Sequence, residues 1–201
     1  NFSSELEIAG KYAAWATLTE EGNALHDRGV LFKVPEKLNP EKLLPVKKTY
    51  HKQYENNLEL LSLPDKDLRE RDGFALTDEG HDLVQALDQA NYCIFCHNQG
   101  KDSCSHGLKE KSKEDNLSSN FKKNNFGITL SGCPLEEKIS EMHSAKVAGQ
   151  SIAALAIALI DNPMIAATGH RICNDCMKSC IYQKQDPVNT PQVETSVLRE
   201  V

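Results

Sequence analysis

Seven cysteines, all lying beyond Tyr92, constrain this chain more than any other feature. They fall as Cys93-x2-Cys96-x7-Cys104, as a singlet within Gly132-Cys133-Pro134, and as Cys173-x2-Cys176-x3-Cys180. A CxxC pair sets two thiolates on one side of a turn, within reach of one metal or one cluster face. Free structural cysteines would account for one or two such residues. They do not account for two CxxC pairs, each with a third cysteine close by. A secreted disulfide framework is more naturally even in number and spread along the chain. The odd count and close spacing predict a reducing, cytoplasmic compartment and metal or redox chemistry.

Three chemistries compete for these thiols. Iron–sulfur clusters are held by short-spaced thiolates with one ligand often supplied from a distant run. The Cys133-Pro134 step suits a cluster, because proline shapes the turn and keeps water off the sulfur. Two cubanes need about eight ligands, so seven cysteines demand one ligand of another kind. Zinc is the second chemistry: Cys93, Cys96, Cys173 and Cys176 could form a tetrahedral site, or His97 or His106 could complete one with three cysteines. Zinc leaves Cys104, Cys133 and Cys180 without a role, which favours iron and sulfide. The third is dithiol redox catalysis, which expects a βαβ context that the sequence does not offer. His26, His51, His81 and His143 carry no motif, and His170 lies near a cysteine without one.

Bulk properties exclude other classes. A length of 201 residues is enough to bury a core. A net charge of −6 argues against nucleic acid, because a phosphate-binding face makes a domain basic. The longest apolar run, Ile152 to Ile160, is far too short to cross a bilayer. The chain starts at Asn1 and stops at Val201 inside a helical pattern, which reads as a fragment of a longer polypeptide. No Gly-x-Gly-x-x-Gly occurs, so no dinucleotide fold is signalled.

The pattern along the chain is mainly α. Leu6, Ala9, Tyr12, Ala13, Ala16 and Leu18 recur at helical steps within residues 4–28. Thr19 is the expected N-cap of a second helix running to Asp27 and ended by Gly29. Gly29 to Val34 reads as a short extended piece, and Pro35 to Pro45 as a wrapping loop. Residues 47–62 are polar, with Tyr50, Tyr54, Leu58, Leu60 and Leu61 available for one packed face. A charged helix is expected over Asp65 to Asp72, stopped by Gly73. Thr77 should cap a helix from Asp78 to about Asn91, with Leu83, Ala86, Leu87 and Ala90 on one stripe. The stretch Leu108 to Thr129 is rich in Lys, Asn and Ser and reads as a solvated loop. Leu135 to Ile160 reads as one long helix, with Glu136 and Glu137 in its first turn where the dipole favours anions. Asn162-Pro163 ends it, Gly169 makes the next turn, and hardly any strand signal follows residue 34.

The succession Cys93-x2-Cys96, Cys104, Gly132-Cys133-Pro134, Asn162-Pro163, Thr168-Gly169, Cys173-x2-Cys176-x3-Cys180 and Pro187-Val188 resembles a known family. It is similar to the helical N-terminal domain of the glutamate synthase small subunit and the related domain of dihydropyrimidine dehydrogenase. The resemblance covers residues 80–201 and implies an α-helical ferredoxin-like domain with a polar insertion at 108–129. Residues 1–79 would then be an N-terminal helical extension. It also implies two [4Fe–4S] clusters with interleaved ligands. Cys93, Cys96 and Cys104 would hold one cluster with Cys180 as the fourth ligand. Cys133, Cys173 and Cys176 would hold the other, with Glu194 as the eighth ligand on a helix started by Thr190-Pro191. In the family such a domain passes electrons to or from FAD- and NAD(P)H-binding domains of the same or a partner polypeptide. The expected role is therefore electron transfer without substrate chemistry, inside a parent NAD(P)H-dependent flavin oxidoreductase. The alternatives are a zinc-stabilised helical interaction module and a degenerate, metal-free one.

Overall fold

In the computed structural model the described residues are 2–25, 35, 37, 39, 50–53, 59–62, 72–74, 79–110 and 120–201, the side chains of 50–53, 59–62, 170 and 171 excepted. They belong to two units, Lys37–Glu79 and a larger one made of Asn1–Glu36 with Gly80–Val201. The described elements are mainly helical.

The smaller unit contains an antiparallel ribbon of β1 (Tyr50–Gln53) and β2 (Glu59–Ser62), with Tyr50 opposite Ser62 and Gln53 opposite Glu59. No strand was expected here. Four-residue strands hold too few alternations for a period of two to register. The expected extended piece at Gly29 to Val34, the charged helix at Asp65 to Asp72, most of the Pro35 to Pro45 loop and the Thr77 cap lie outside the described residues.

The larger unit opens with α1 (Phe2–Leu18) and α2 (Glu20–Leu25). Thr19 does cap α2, its hydroxyl accepting from the Gly22 N–H at 3.0 Å. The stripe on α1 is not a buried face, for Leu6, Tyr12 and Leu18 are exposed and Ala16 alone on that helix is buried.

Around the cysteines the helices are α3 (Leu83–Tyr92), α4 (Ser103–His106), α5 (Ile139–Val147), α6 (Ser151–Asp161), α7 (Ile165–Ile172), α8 (Asp175–Ser179) and α9 (Thr190–Glu200). The last is the hub, packing on α3, α5, α6 and α7. Its buried residues Thr190, Val193, Glu194 and Val197 follow the i, i+3, i+4, i+7 steps of one helical stripe. Val193 and Val197 meet Ala90, Met142, Ala154, Ala158 and Ile165 in the central core. The alanines let the helix backbones approach closely.

Three expectations need correction. The helix before Cys93 starts at Leu83, not Asp78, and its N-cap is Asp82. Asp82 accepts from the Gln85 N–H at 2.8 Å while Gln85 accepts from the Asp82 N–H at 3.1 Å. The long helix expected over Leu135 to Ile160 is two antiparallel helices, α5 and α6, separated at Gly149 with φ +74°. Glu136 and Glu137 precede α5 rather than occupying its first turn. The anion at that N-terminus is Asp161 from the end of α6, which accepts from the Lys138 N–H and pairs with its ammonium at 2.8 Å. The described parts of the polar insertion, 108–110 and 120–129, are also more ordered than their composition suggests. Leu108 N–H donates to Leu130 O, Lys122 N–H to Leu108 O, and bridges join Lys109 to Phe121 and Lys123 to Thr129.

A buried ion pair holds α5 to α9. Lys146 is 1% exposed. Its ammonium donates to Ser196 Oγ at 3.1 Å and to the Glu200 carboxylate, which also accepts from Ser151 Oγ at 2.7 Å. Glu200→Gln leaves that ammonium without a counter-charge and should cost about 3 kcal/mol. Lys146→Met keeps the aliphatic volume and frees a carboxylate that is 23% exposed, so it should cost less than about 1.5 kcal/mol. Urea denaturation of both variants checks the order. A milder loss in Glu200→Gln would mean that the lysine does not carry the burial penalty.

Candidate functional site

Helix α3 ends at Tyr92 and hands the chain to Cys93 in an extended conformation. Phe95 then turns left-handed, with φ +50°. That conformation costs a non-glycine residue about 1–2 kcal/mol. It also aims the Phe95 N–H at Cys93 Sγ, 3.4 Å away, and starts the 3-10 turn Cys96–Gln99. Cys104 sits buried on α4, which packs against α8. Cys180 caps the C-terminus of α8. The chain beyond Cys180 is fastened over Cys93 by Tyr92, which stacks on Tyr182 at 4.7 Å and donates to Asp186 O at 2.9 Å.

Cys93, Cys96, Cys104 and Cys180 therefore line one pocket, although Cys180 is far away in sequence. Burial is the largest influence on all four thiols and pushes each of them up, Cys93 to about 12. Charge at Cys180 pushes Cys93, Cys96 and Cys104 further up. Backbone N–H groups of Ile181, Tyr182 and Val188 point at Cys180 and work in the opposite direction.

A second group forms around Glu194. Cys176 feels the charges of Glu194, Cys133 and Cys173 after burial, and Cys133 likewise feels Glu194. Glu136 is the other non-glycine residue with positive φ among those described. The loop it shapes sets the Leu135 and Glu137 N–H groups on Cys133 Sγ, an anion-binding turn. Glu194 is 8% exposed. Burial raises its carboxyl to about 8, and the Glu137 carboxylate, to which it donates, adds to the shift. Glu137 also interacts with Asn162. Cys173 is the one exposed cysteine.

The two groups touch. Cys133 N–H donates to Cys104 O at 2.7 Å, and Gly132 N–H to Ser179 Oγ at 2.9 Å. Helix α8 carries Cys176 into one group and ends at Cys180 in the other.

All seven cysteines are free thiols. Their chemistry fits two cubanes: seven sulfurs and one carboxylate in two sets of four, with N–H donors on the sulfurs. Buried thiolates would repel one another, so these groups favour the protonated form; iron, when bound, would replace the protons and compensate the charge. Among the described residues, no three of His, Cys, Asp and Glu gather closely enough to share a single metal ion. A cubane carries each thiolate on a different iron, so its ligands stand further apart than those of one zinc.

The histidines singled out in the sequence lie elsewhere. His97 engages Ser140 Oγ through its backbone N–H and its Nδ1. His106 is exposed, 3.6 Å from Glu136. The side chain of His170 is outside the described residues. His143, which carries no motif, is the histidine that lines the four-cysteine pocket. It is 1% exposed and neither ring nitrogen has a hydrogen-bond partner. Burial holds it neutral, with its pKa lowered to about 3. An unsatisfied buried polar group costs about 1–3 kcal/mol. His143 and Glu137 are the site residues that sequence reasoning missed. The signal was periodic: Ile139, Met142, His143 and Lys146 are the i, i+3, i+4, i+7 stripe of α5.

No family model matches the chain. It is similar to two uncharacterized proteins of Rickettsia prowazekii (strain Madrid E). One is 32% identical over 154 residues, which are 73% of this chain and 48% of that protein. The other is 73% identical over 37 residues, 18% of this chain and 5% of that protein. The chain thus spans about half the length of the first relative and a twentieth of the second. No helix among the described residues is long and apolar enough to cross a membrane.

Proposed function

We propose that this chain is the electron-transfer domain of a larger FAD- and NAD(P)H-dependent oxidoreductase and holds two [4Fe–4S] clusters. The observation that carries the reading is the sorting of eight donors into two neighbouring groups. Cys180 joins Cys93, Cys96 and Cys104. Glu194 lies near Cys133 and Cys176, and Cys173 near Cys176. When bound, each cluster would take up or release one electron. The protein's part is to bury the sulfurs, aim N–H groups at them and keep the groups adjacent at Cys104 and Cys133. The flavin and nicotinamide partners belong to the same proposal and rest on the family resemblance.

Anaerobic purification with iron and acid-labile sulfide assays tests it. About eight iron and eight sulfide per chain, with a brown colour, are expected. One zinc and no colour, or a folded anaerobic chain free of metal, would overturn it. Glu194→Ala should retain the Cys93–Cys180 cluster in full and lose iron from the other, bringing the total toward about four per chain. Unchanged iron content would remove Glu194 from the ligand set.

A further inference from the structure

Of the residues that line the first pocket, His143 is the one whose buried side-chain nitrogens have no hydrogen-bond partner. It reaches the space between Cys93, Cys96, Cys104 and Cys180 from α5, a helix that contributes none of the cysteines. Neither ring nitrogen meets a protein partner, and the side chain is 1% exposed. Neutral imidazole carries one N–H donor, and that donor needs an acceptor. Most side-chain acceptors lining the pocket are sulfurs, those of Cys93, Cys96, Cys104 and Cys180, beside the hydroxyls of Tyr182 and Thr190.

We propose that His143 donates its ring N–H to a sulfur of the cluster held by Cys93, Cys96, Cys104 and Cys180, and so raises that cluster's reduction potential. This rests on the iron–sulfur reading above. The sign follows from charge. An added electron makes the sulfurs more negative, which strengthens an N–H···S bond, so the donor favours the reduced state. His143 positions and tunes, and is not itself a ligand.

The test uses the chain loaded anaerobically with iron and sulfide and reduced with dithionite. In His143→Leu, iron and sulfide content should be unchanged. The potential of one cluster should fall while the other stays put. A tenfold weaker hold on the electron would read as about 59 mV for a one-electron couple. His143→Gln, which keeps an N–H donor, should recover part of the shift. Pulsed EPR on wild-type protein labelled with 15N-histidine should show an imidazole nitrogen coupled to one reduced cluster, and this measurement needs no variant to fold. Absence of that coupling, or two unmoved potentials in an iron-replete His143→Leu, would overturn the role of His143 and leave the iron–sulfur reading intact. A wild-type chain that takes up no iron or sulfide would overturn both.

Discussion

Cys180→Ala is expected to remove about half the iron, about four of about eight atoms per chain, and to leave the cluster at Cys133, Cys173, Cys176 and Glu194. Cys176→Ala should remove the other half and leave the complementary cluster. Cys176 lies within the short helix α8 and Cys180 caps its end, four positions on. They nevertheless face different groups. Cys180 lines the pocket with Cys93, Cys96 and Cys104, whereas Cys176 feels the charges of Glu194, Cys133 and Cys173 and packs where the two groups touch, beside Cys104. Metal assays give the totals, and EPR of the reduced proteins identifies the cluster that remains. The residual signals should differ between the two variants, and the double variant should hold almost no iron. A general folding fault in α8 would instead give both single variants the same losses from both clusters. Identical residual signals, or full iron content in Cys180→Ala, would end the pairing of Cys180 with the Cys93–Cys104 arc.

Gly132→Ala should be among the most damaging single-methyl changes at the described residues. The backbone at Gly132 has φ +82° and lies directly on the α4 loop. An added Cβ would sit 2.5 Å from Gly107 N and 2.6 Å from Ser105 O, both backbone atoms that cannot turn aside. Backbone strain and overpacking together should cost about 2–5 kcal/mol. The position matters because the Cys133 N–H to Cys104 O bond crosses this same contact and seats the two cysteine groups side by side. Pushing the segments apart should therefore lower iron in both clusters. Gly127→Ala is the control, since its φ is +78° but nothing lies within 4 Å of the added Cβ. It should show the backbone cost alone, with iron unchanged. Urea denaturation of the metal-free chains and iron assays of the loaded ones separate the two. Equal losses at Gly127 and Gly132 would mean that the close approach is unimportant.

Much of this architecture was legible from local pattern. Helical content, the Asn162 stop and the helix starting at Thr190-Pro191 all follow from short-range chemistry: apolar period, caps and proline geometry. Local pattern failed where a break depends on tertiary partners. The apolar signal runs through Gly149, but α5 and α6 fold back there because each finds its apolar partner in α9 and in the other. It also failed in the described parts of the insertion, 108–110 and 120–129, where hydrogen bonds from Leu108 and Lys122 to distant backbone hold a polar stretch with little to bury.

The cysteine spacings by themselves determined that thiol chemistry dominates this chain and that one ligand beyond seven sulfurs is needed for two cubanes. The family resemblance already implied which donors would meet; only the tertiary structure shows how the chain brings Cys180 to the pocket of Cys93, Cys96 and Cys104. Loop closure across the chain is not encoded in spacing, and Cys180 reaches Cys93 because α8 docks on α4 and Tyr92 holds the following turn. The same holds for His143 and Glu194. Each occupies an apolar helical stripe, and sequence marks such a residue as out of keeping with its neighbours. What faces it is set by the packing of α5 and α9 around the two groups of thiols.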